Sequence, residues 1–286
     1  MYAVARWLIE ELTMLGLKDK VVLITGSTSG IGQSIAVRFA QEGARVAINY
    51  RKAESDAAET DALIHQAHED YMHEMEEHGA DHILVKADVS KLHEVEAMVQ
   101  EVIDKFGTLD FLINNAGIQI PADSDKISSE DFDLVLNVNL RGAFFAAQAA
   151  IRHFLALNKP GVVINISSVH QVIPKPRFLS YSISKGGIAN LTRTLALEYA
   201  GRGIRINAVG PGATVTPINR AWIDDPVKRE QVISHIPMGR AGTSEEMAAV
   251  VAFLCSDEAA YITGQTIYVD GGLVLYPDFR TAWSSE

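Results

Sequence analysis

Residues 21–32 read VVLITGSTSGIG, an apolar run that leads into a turn with three glycines. A helical pattern of apolar residues follows the turn and stops at Gly43. Glycine lets the backbone approach a ligand closely, and the first turn of a helix presents free N–H groups and the positive end of its dipole. The stretch therefore predicts a strand, a phosphate-binding turn and a helix.

The glycine spacing in this turn, G-x-x-x-G-x-G, leaves two alternatives to phosphate binding. A tight turn between a strand and a helix also uses glycine for purely structural reasons. The stretch nearly matches the G-x-S-x-G turn that holds the nucleophile of many hydrolases, but Thr28 stands where that motif has its serine. The hydrolase alternative is therefore excluded.

Apolar runs and amphipathic stretches alternate along the rest of the chain. Uninterrupted apolar runs are typical of strands in a parallel sheet that helices cover on both faces, and repeated strand–helix alternation implies right-handed crossovers. The sequence predicts an α/β fold, one domain with a doubly wound, seven-stranded parallel sheet of the Rossmann type. Strands are predicted at 21–25, 46–48, 82–85, 109–113, 162–166, 204–209 and 266–269, and later helices near 57–78, 92–106, 130–157, 181–199 and 244–255.

Three segments differ from this alternation. Residues 1–19 are predicted to be an N-terminal extension, in which 1–15 is a short amphipathic segment and not a signal peptide. Residues 20–286 then form the α/β domain. The long second helix, 53–79, contains four histidines, and the proline-rich connection 211–242 has the length of a binding loop or lid.

Composition excludes several classes of partner. The 286 residues include 25 Lys+Arg and 36 Asp+Glu, a net charge of -11, which argues against nucleic acid or an anionic membrane as the partner. The single cysteine, Cys255, cannot form an internal disulfide and fits a reducing compartment. No uninterrupted apolar run approaches the roughly 18 residues of a membrane span. The sequence predicts a cytoplasmic protein with a small-molecule substrate.

The end of the second strand predicts the kind of dinucleotide. In dinucleotide-binding folds an acidic residue at this edge binds the ribose 2′-hydroxyl, whereas a basic residue accommodates a 2′-phosphate. Arg51 and Lys52 stand there, without an acid. The pattern predicts NADP, with NAD also accepted. Two solvated cations at the start of a surface helix would give the same pattern.

Three further residues predict a site for proton transfer. Tyr181 and Lys185 are four residues apart in a helical pattern and so share one helix face. A phenol, with a pKa of about 10, is a poor base at neutral pH unless a neighbouring cation favours the phenolate. Ser168 follows the strand at 162–166, at the carboxyl edge where open α/β sheets bind ligands. A Tyr–Lys pair alone is typical of ordinary surface neighbours. It predicts a proton-transfer site only in combination with the glycine turn and Ser168.

The ordered motifs resemble those of the short-chain dehydrogenase/reductase family from about residue 20 to 278, and the chain is similar to bacterial glucose 1-dehydrogenases. The matching residues are the turn at 25–32, Asp88, the Asn-Asn-Ala-Gly run at 114–117, Asn139, Ser168, Tyr181, Lys185, Pro211 and Gly212.

The resemblance implies catalytic roles for four residues. Tyr181 would be the general base that takes the substrate hydroxyl proton, and Ser168 would hydrogen-bond the substrate oxygen. Lys185 would lower the pKa of Tyr181 and hold the nicotinamide ribose. Asn139 would hold a water that links Lys185 to solvent.

The resemblance also implies a cofactor site and a reaction. Hydride transfer would interconvert a secondary alcohol and a carbonyl, with the cofactor supplying the redox chemistry. The implied contacts of NADP or NAD are Gly26, Ser29, Gly30, Ile31, Gly32, Arg51, Asp88, Val89, Asn115, Ala116, Gly117, Tyr181, Lys185, Pro211, Gly212, Thr214 and Thr216. A non-catalytic dinucleotide sensor would have no use for the proton-relay residues. An epimerase would need a separate substrate domain.

A sugar or polyol substrate follows from the resemblance, with His170 and Gln119 joining Ser168 as its contacts. Gln119 stands where glucose dehydrogenases tend to have an acid. Lys175 and Arg177 add positive charge to a connection that is usually more apolar. These departures leave room for another sugar, a polyol, or another carbonyl compound such as an oxoacyl, oxo acid or steroid substrate.

Two further expectations concern metal ions and assembly. His65, His68, His73 and His78 of the long helix invite a metal interpretation, but no cysteine accompanies them, so a solvated helix face is favoured and no metal site is predicted. The family resemblance implies a homotetramer, with which the apolar stretch at 144–149 agrees.

Overall fold

The computed structural model describes residues 14–75 and 81–275, with the backbone alone for 73–75. The predicted seven-stranded, doubly wound parallel sheet is confirmed, in the order β3-β2-β1-β4-β5-β6-β7. The strands are β1 (Val21–Ile24), β2 (Arg45–Tyr50), β3 (His82–Lys86), β4 (Phe111–Asn114), β5 (Gly161–Ile166), β6 (Ile204–Pro211) and β7 (Thr266–Val269). The strand order reverses between β1 and β4, which opens a crevice at their carboxyl ends.

Helices cover both faces of this sheet. They are α1 (Gly30–Gln41), α2 (Ala58–Met75), α3 (Leu92–Phe106), α4 (Ser129–Leu136), α5 (Ala143–Ala156), α6 (Leu179–Tyr199), α7 (Arg220–Ile223), α8 (Pro226–Ser234) and α9 (Ser244–Cys255). Core residues of α1, α2 and α9 pack on one face, and those of α3, α5 and α6 pack on the other. The alternation of strands and helices in the sequence is the direct consequence of this layering.

Strand β1 shows why its sequence is apolar without interruption. Val22 and Ile24 belong to the core on the α1 face, whereas Val21 and Leu23 belong to the core on the opposite face. Successive side chains of a strand point to opposite faces, so every side chain of a strand with two covered faces is buried, which favours apolar residues throughout. All four residues are fully buried.

Several element bounds differ from the predicted ones. Strand β2 runs through Tyr50 because the polar Asn49 is buried and hydrogen-bonded there. The predicted helix at 130–157 is helical from Ser129 to Ala156, but a π-helical turn, Asn137–Gly142, separates α4 from α5. The predicted helix at 57–78 starts after a 3₁₀ turn, Glu54–Asp56, and its last three residues lie outside the described part.

The described part of the N-terminal extension and the connection 211–242 are both held by contacts within the fold. Residues 1–13 of the predicted extension lie outside the described residues, but Leu17 is fully buried in the core on the α1 face. The connection 211–242 closes on itself through a parallel bridge between Thr214 and Gly242. It contains the 3₁₀ turn Pro217–Asn219 and helices α7 and α8, and it is called the lid below.

One helical segment among the described residues, Ser129–Ala156, is long and apolar enough on average to cross a bilayer. Half of its most apolar window is buried inside the fold. Buried alanines of α5, among them Ala146 and Ala150, pack on the sheet. The segment is a core helix.

Candidate active site

A cleft of about 740 Å³ opens at the carboxyl edge of the sheet, where the strand order reverses. Loops that follow β1 to β6 and the lid form its walls. The cleft brings together every residue that the sequence predicts for cofactor, substrate and catalysis, apart from Asn139, which lies just behind its wall. A single crevice therefore contains the predicted phosphate turn and the predicted proton-transfer residues.

The turn after β1 has the geometry of a phosphate cradle. Gly26 and Gly30 adopt φ angles of 61° and 55°, in the left-handed region that favours glycine. Ser29 caps α1 without a side-chain hydrogen bond to the helix N–H groups. The first N–H groups of α1 therefore face the cleft without a side-chain partner, together with the positive end of the helix dipole.

A hydrogen-bond network that the sequence did not reveal holds this turn in place. Thr25 Oγ1 accepts hydrogen bonds from the backbone N–H groups of Asn115 and Ala116, both at 3.0 Å. The Asn115 side-chain amide donates to the carbonyls of Thr25 and Gly26, at 3.0 and 2.8 Å. The end of β4 is thus tied to the end of β1, and the Asn115 side chain is used in that tie.

Asn49 is a second positioning residue that the sequence analysis missed. Its Oδ1 accepts from Gly26 N at 3.0 Å, and its Nδ2 donates to the carbonyls of Val85 and Ala87. The residue is buried and lines the cleft where β1, β2 and β3 end. A polar residue that directly follows an apolar strand was the available signal.

Arg51, Asp88 and Val89 lie at one end of the cleft, beside the glycine turn. Arg51 is exposed at the end of β2. Asp88 Oδ1 accepts hydrogen bonds from the backbone and hydroxyl of Ser90, at 3.0 and 2.7 Å. We call this region the adenosine end of the cleft.

Ser168, Tyr181 and Lys185 meet in the middle of the cleft. Ser168 follows β5 and is only 6% exposed; Tyr181 and Lys185 lie on the first turns of α6. The Ser168 side chain lies close enough to the Tyr181 hydroxyl to favour its phenolate form. The Ser168 hydroxyl oxygen also accepts from His170 N at 3.1 Å, which fixes its position.

The charge state of this group is set mainly by burial. Burial raises the pKa of Tyr181, and the nearby Ser168 side chain opposes that rise. Burial lowers the pKa of Lys185 to about 8. The ammonium of Lys185, which the resemblance assigned to lowering the pKa of Tyr181, donates to the carbonyl of Ile166 at 2.8 Å and lies 5.4 Å from the phenol ring centroid.

Asn139 lies in the π-helical turn, whose wider winding places its side chain inside the protein. Oδ1 accepts from Ile118 N at 2.8 Å, and Nδ2 donates to the Ile118 carbonyl and to Ser184 Oγ. A Cβ on Gly117 would lie 3.5 Å from Asn139 Oδ1 and 3.7 Å from Lys185 Nζ. Asn139 and Lys185 therefore flank the same glycine.

The predicted substrate contacts besides Ser168 are His170, which lies beside Tyr181, and Gln119, which contacts the lid. The His170 ring is 6.2 Å from the Tyr181 ring, and its Nδ1 lies 3.0 Å from the Ile173 carbonyl. Because a carbonyl can only accept, Nδ1 carries the proton and Nε2 is free to accept from a substrate hydroxyl. Burial lowers the pKa of His170, which favours this neutral form. Gln119 Nε2 donates to the Ile218 carbonyl of the lid, at 3.2 Å.

The histidines of α2 do not form a metal site in the described part of the chain. No group of three metal-binding side chains is found there. His68 is buried, with its Nε2 donating to the Ala44 carbonyl at 3.0 Å, so it is a core residue and not part of the solvated face that the sequence predicted. The side chains of His73 and His78 lie outside the described residues.

Several known proteins resemble this chain over most of its length. A family model described as enoyl-(acyl carrier protein) reductase matches residues 26–274. The chain is 49% identical over 266 residues to a glucose 1-dehydrogenase of Gluconobacter oxydans, covering 93% of this chain and 96% of that protein. It is 47% identical over 264 residues to 3beta-hydroxysteroid dehydrogenase 1 of Eggerthella lenta, covering 92% and 97%.

A solved structure extends the likeness to three dimensions. A protein from Agrobacterium tumefaciens, provisionally described as a 2-deoxy-D-gluconate 3-dehydrogenase, has NADP bound and superimposes with a TM-score of 0.80 at 35% identity, covering 91% of this chain and 98% of that one. The crevice, the glycine turn and the Ser168–Tyr181–Lys185 group are therefore set in a shared fold. The chain belongs to the short-chain dehydrogenase/reductase family and is a nicotinamide-dependent oxidoreductase that acts on CH–OH groups.

Proposed function

We propose that this protein is a glucose 1-dehydrogenase-like enzyme, which interconverts a sugar or polyol hydroxyl and the corresponding carbonyl with NADP. The observation that supports it most is that Ser168, Tyr181 and Lys185 line the same cleft as the phosphate cradle. The glucose 1-dehydrogenases of Gluconobacter oxydans and Bacillus subtilis, 49% and 43% identical, support the sugar substrate.

The residues present fit a nicotinamide dinucleotide. The two glycines with positive φ suit a pyrophosphate, and so does the N-terminus of α1, whose cap residue makes no side-chain hydrogen bond. Gly117 leaves a surface without a Cβ beside Lys185. Asp88 and Val89 would meet the adenine side, and Pro211, Gly212, Thr214 and Thr216 would hold the nicotinamide side from the lid. When bound, the dinucleotide accepts a hydride from the carbinol carbon or returns it to the carbonyl carbon.

The side chains move the proton. In the oxidation direction Tyr181, as phenolate, takes the proton of the substrate hydroxyl while the C–H electron pair leaves with the hydride, so the C–O single bond becomes a carbonyl. Ser168 holds the substrate oxygen by a hydrogen bond, and Lys185 stabilises the negative charge on the phenolate. The phenol then returns its proton to solvent through Lys185, with Asn139 beside the same glycine.

Initial rates at 340 nm, in both directions and with glucose, other sugars, polyols, steroids and oxoacyl compounds, test the function. Because the pKa of Tyr181 is raised, the residue is a phenol at neutral pH. We expect reduction, which uses the phenol, to be nearly independent of pH from 6 to 8. Oxidation needs the phenolate, so its rate should rise about tenfold per pH unit and bend near pH 8, where Lys185 loses its proton. No turnover of any compound would refute the proposal.

NADP is the proposed cofactor, with NAD also accepted, because Arg51 lines the adenosine end without an acid beside it on β2. Replacing Arg51 by Ala should raise KM for NADP about tenfold and leave KM for NAD within a factor of two, since an exposed charge-assisted contact is lost only with the phosphate present. Lys52→Ala is the matched control, because Lys52 is equally exposed but does not line the cleft. Equal effects on both cofactors would contradict this role.

A second candidate, a substrate with a larger apolar body, has support from the site itself. Ile173, Phe178 and Trp222 line the cleft near Tyr181, and the steroid dehydrogenase of Eggerthella lenta is 47% identical. The substrate panel above distinguishes the two candidates.

We further propose a cytoplasmic homotetramer, with the half-exposed rings of Phe144 and Phe145 on α5 as part of a subunit contact.

A further inference from the structure

The substrate half of the cleft is the part formed by the connection 169–178 and by lid helices α7 and α8. Its walls are mainly apolar, and the apolar side chains that line it are Val169, Ile173, Pro174, Pro176, Phe178, Trp222 and Val232. Apolar walls leave few partners for charged groups, so the few ionisable side chains among them decide which charge a ligand can have.

The ionisable groups in this half are all basic. They are His170 and Lys175 from the connection, and His235, which follows α8. Among the described residues that line the cleft, one is acidic. It is Asp88, which lies at the adenosine end. This imbalance is unusual for a chain with 36 acidic and 25 basic residues, whose overall field repels anions.

Lys175 is the fixed cation of the three. Its Nζ lies 4.0 Å from the centroid of the Phe178 ring, which in turn packs edge-on against Tyr181 at 6.1 Å between centroids. The ammonium therefore lies over the face of the Phe178 ring, and that ring in turn contacts the ring of Tyr181, which bears the reacting hydroxyl. Among the described residues no carboxylate lies within 4.0 Å of it, and burial lowers its pKa without an opposing acid.

Arg177, two residues further on, shows the ordinary alternative. Its guanidinium pairs with Asp123 at 3.5 Å on the outside of the same connection, and it does not line the cleft. The connection thus contains two cations. Arg177 pairs with an acid outside the cleft, whereas Lys175 lines the cleft without an acidic partner. Because Lys175 is also exposed to solvent, its ammonium keeps its charge without an acidic partner and is available to an anionic ligand in the cleft.

We propose that the substrate bears a carboxylate, which Lys175 binds at the far end of the substrate half while Ser168 and Tyr181 bind the reacting oxygen. The inference rests on the dehydrogenase chemistry of the proposed function and, within that chemistry, favours hydroxy or oxo acids over neutral sugars. A polyhydroxy acid and an acid with an apolar body both offer this chemistry. The apolar walls would contact the carbon skeleton in either case.

Pairs of compounds that differ only at the carboxyl group test this inference. D-gluconate and D-glucitol, which share one open-chain skeleton, form one pair, and 4-hydroxycyclohexanecarboxylate and its methyl ester form the other. We expect the wild type to prefer the acid of at least one pair by about tenfold in kcat/KM, and Lys175→Met to remove that preference by acting on the acid alone. Which pair shows the preference identifies the carbon skeleton.

Two variants control for structural effects. Lys175→Arg keeps the charge and should retain most of the preference, whereas Arg177→Gln removes a neighbouring charge outside the cleft and should leave the preference unchanged. The preference for the acid should also fall with added salt in the wild type and not in Lys175→Met. Equal use of acid and neutral compound by the wild type, or an equal effect of Lys175→Met on both, would overturn the inference.

Binding separates this inference from the proposed function. Calorimetric titration of the dinucleotide complex with D-gluconate, D-glucitol and the cyclohexane pair needs no turnover. Binding of an acid that is about tenfold tighter than that of its neutral partner, and is lost in Lys175→Met, would support the inference even if no compound in the pairs is turned over. Binding of neither acid would overturn it, while turnover of glucose alone would leave the oxidoreductase function intact.

Discussion

Replacing Tyr181 by Phe should lower kcat/KM roughly 10³-fold in both directions, within the range of about 10²–10⁴ that a positioned acid–base group contributes. The substitution removes one oxygen atom, the one that would exchange the substrate proton beside Ser168. The ring remains, so its edge-on packing against Phe178 and His170 is kept. The loss should therefore fall on the chemical step and not on the shape of the cleft.

The same chain offers a matched control for this variant. Tyr199 lies at the other end of helix α6, away from the cleft, so that Tyr199→Phe removes an equivalent oxygen from the same helix. It should leave the rate unchanged. Tyr181→Phe should still bind the dinucleotide, as judged by fluorescence titration, with less than a threefold change in Kd. Near-full activity in Tyr181→Phe would remove the basis of the proposed mechanism.

The predictions that succeeded rest on local periodicity. Tyr181 and Lys185 share a helix face because 3.6 residues make one turn, and α6 places both in the cleft. Ser168 reaches the same point because parallel strands end at one edge of the sheet, and β5 is a central strand. The helical period and the parallel direction of the strands were readable from the sequence, so the meeting of these residues at one edge of the sheet could be predicted from local patterns.

Residues that act through contacts between distant segments were not predictable in this way. Thr25 and Asn115 are 90 positions apart, and their hydrogen bonds depend on β1 and β4 being neighbours at the reversal of strand order. Asn49 is similar, since its side chain bridges the ends of three strands. Local patterns contain no information about which strand ends adjoin. Asn115 was therefore predicted only as a cofactor contact that the resemblance implies, and the hydrogen bonds by which these side chains join strand ends were not predicted.

The π-helical turn is a further case. Residues 130–157 have the apolar period of one α-helix, and nothing in that period marks the wider turn at Asn137–Gly142. Its cause is tertiary: the Asn139 amide pairs twice with the backbone of Ile118, and Gly142 leaves no room for a Cβ against Val89. The winding of the helix follows those contacts, and it brings Asn139 beside Lys185.

Replacing Gly32 by Ala should weaken dinucleotide binding by roughly ten- to a hundredfold and lower the free energy of unfolding by about 1–3 kcal/mol, the usual cost of overpacking. A Cβ at this position would overlap the Asn115 amide and the carbonyl of Gly26, and one of these contacts is backbone. The added methyl group must therefore open the turn or displace the tie between β1 and β4. Either movement shifts the N–H groups of α1 that face the phosphate.

Gly201→Ala is the appropriate control for this variant, because a Cβ on Gly201 would meet no atom within 4 Å and the residue does not have a positive φ. It should leave Kd unchanged and the melting temperature equal or slightly higher, since alanine reduces the entropy of the unfolded chain. Titration of cofactor fluorescence and thermal melts, each with and without dinucleotide, give both quantities. If Gly32→Ala matched the control in both, close packing at Gly32 would not be what shapes the phosphate cradle, and the fit of this turn to a dinucleotide would have to come from the Gly26 and Gly30 backbone alone.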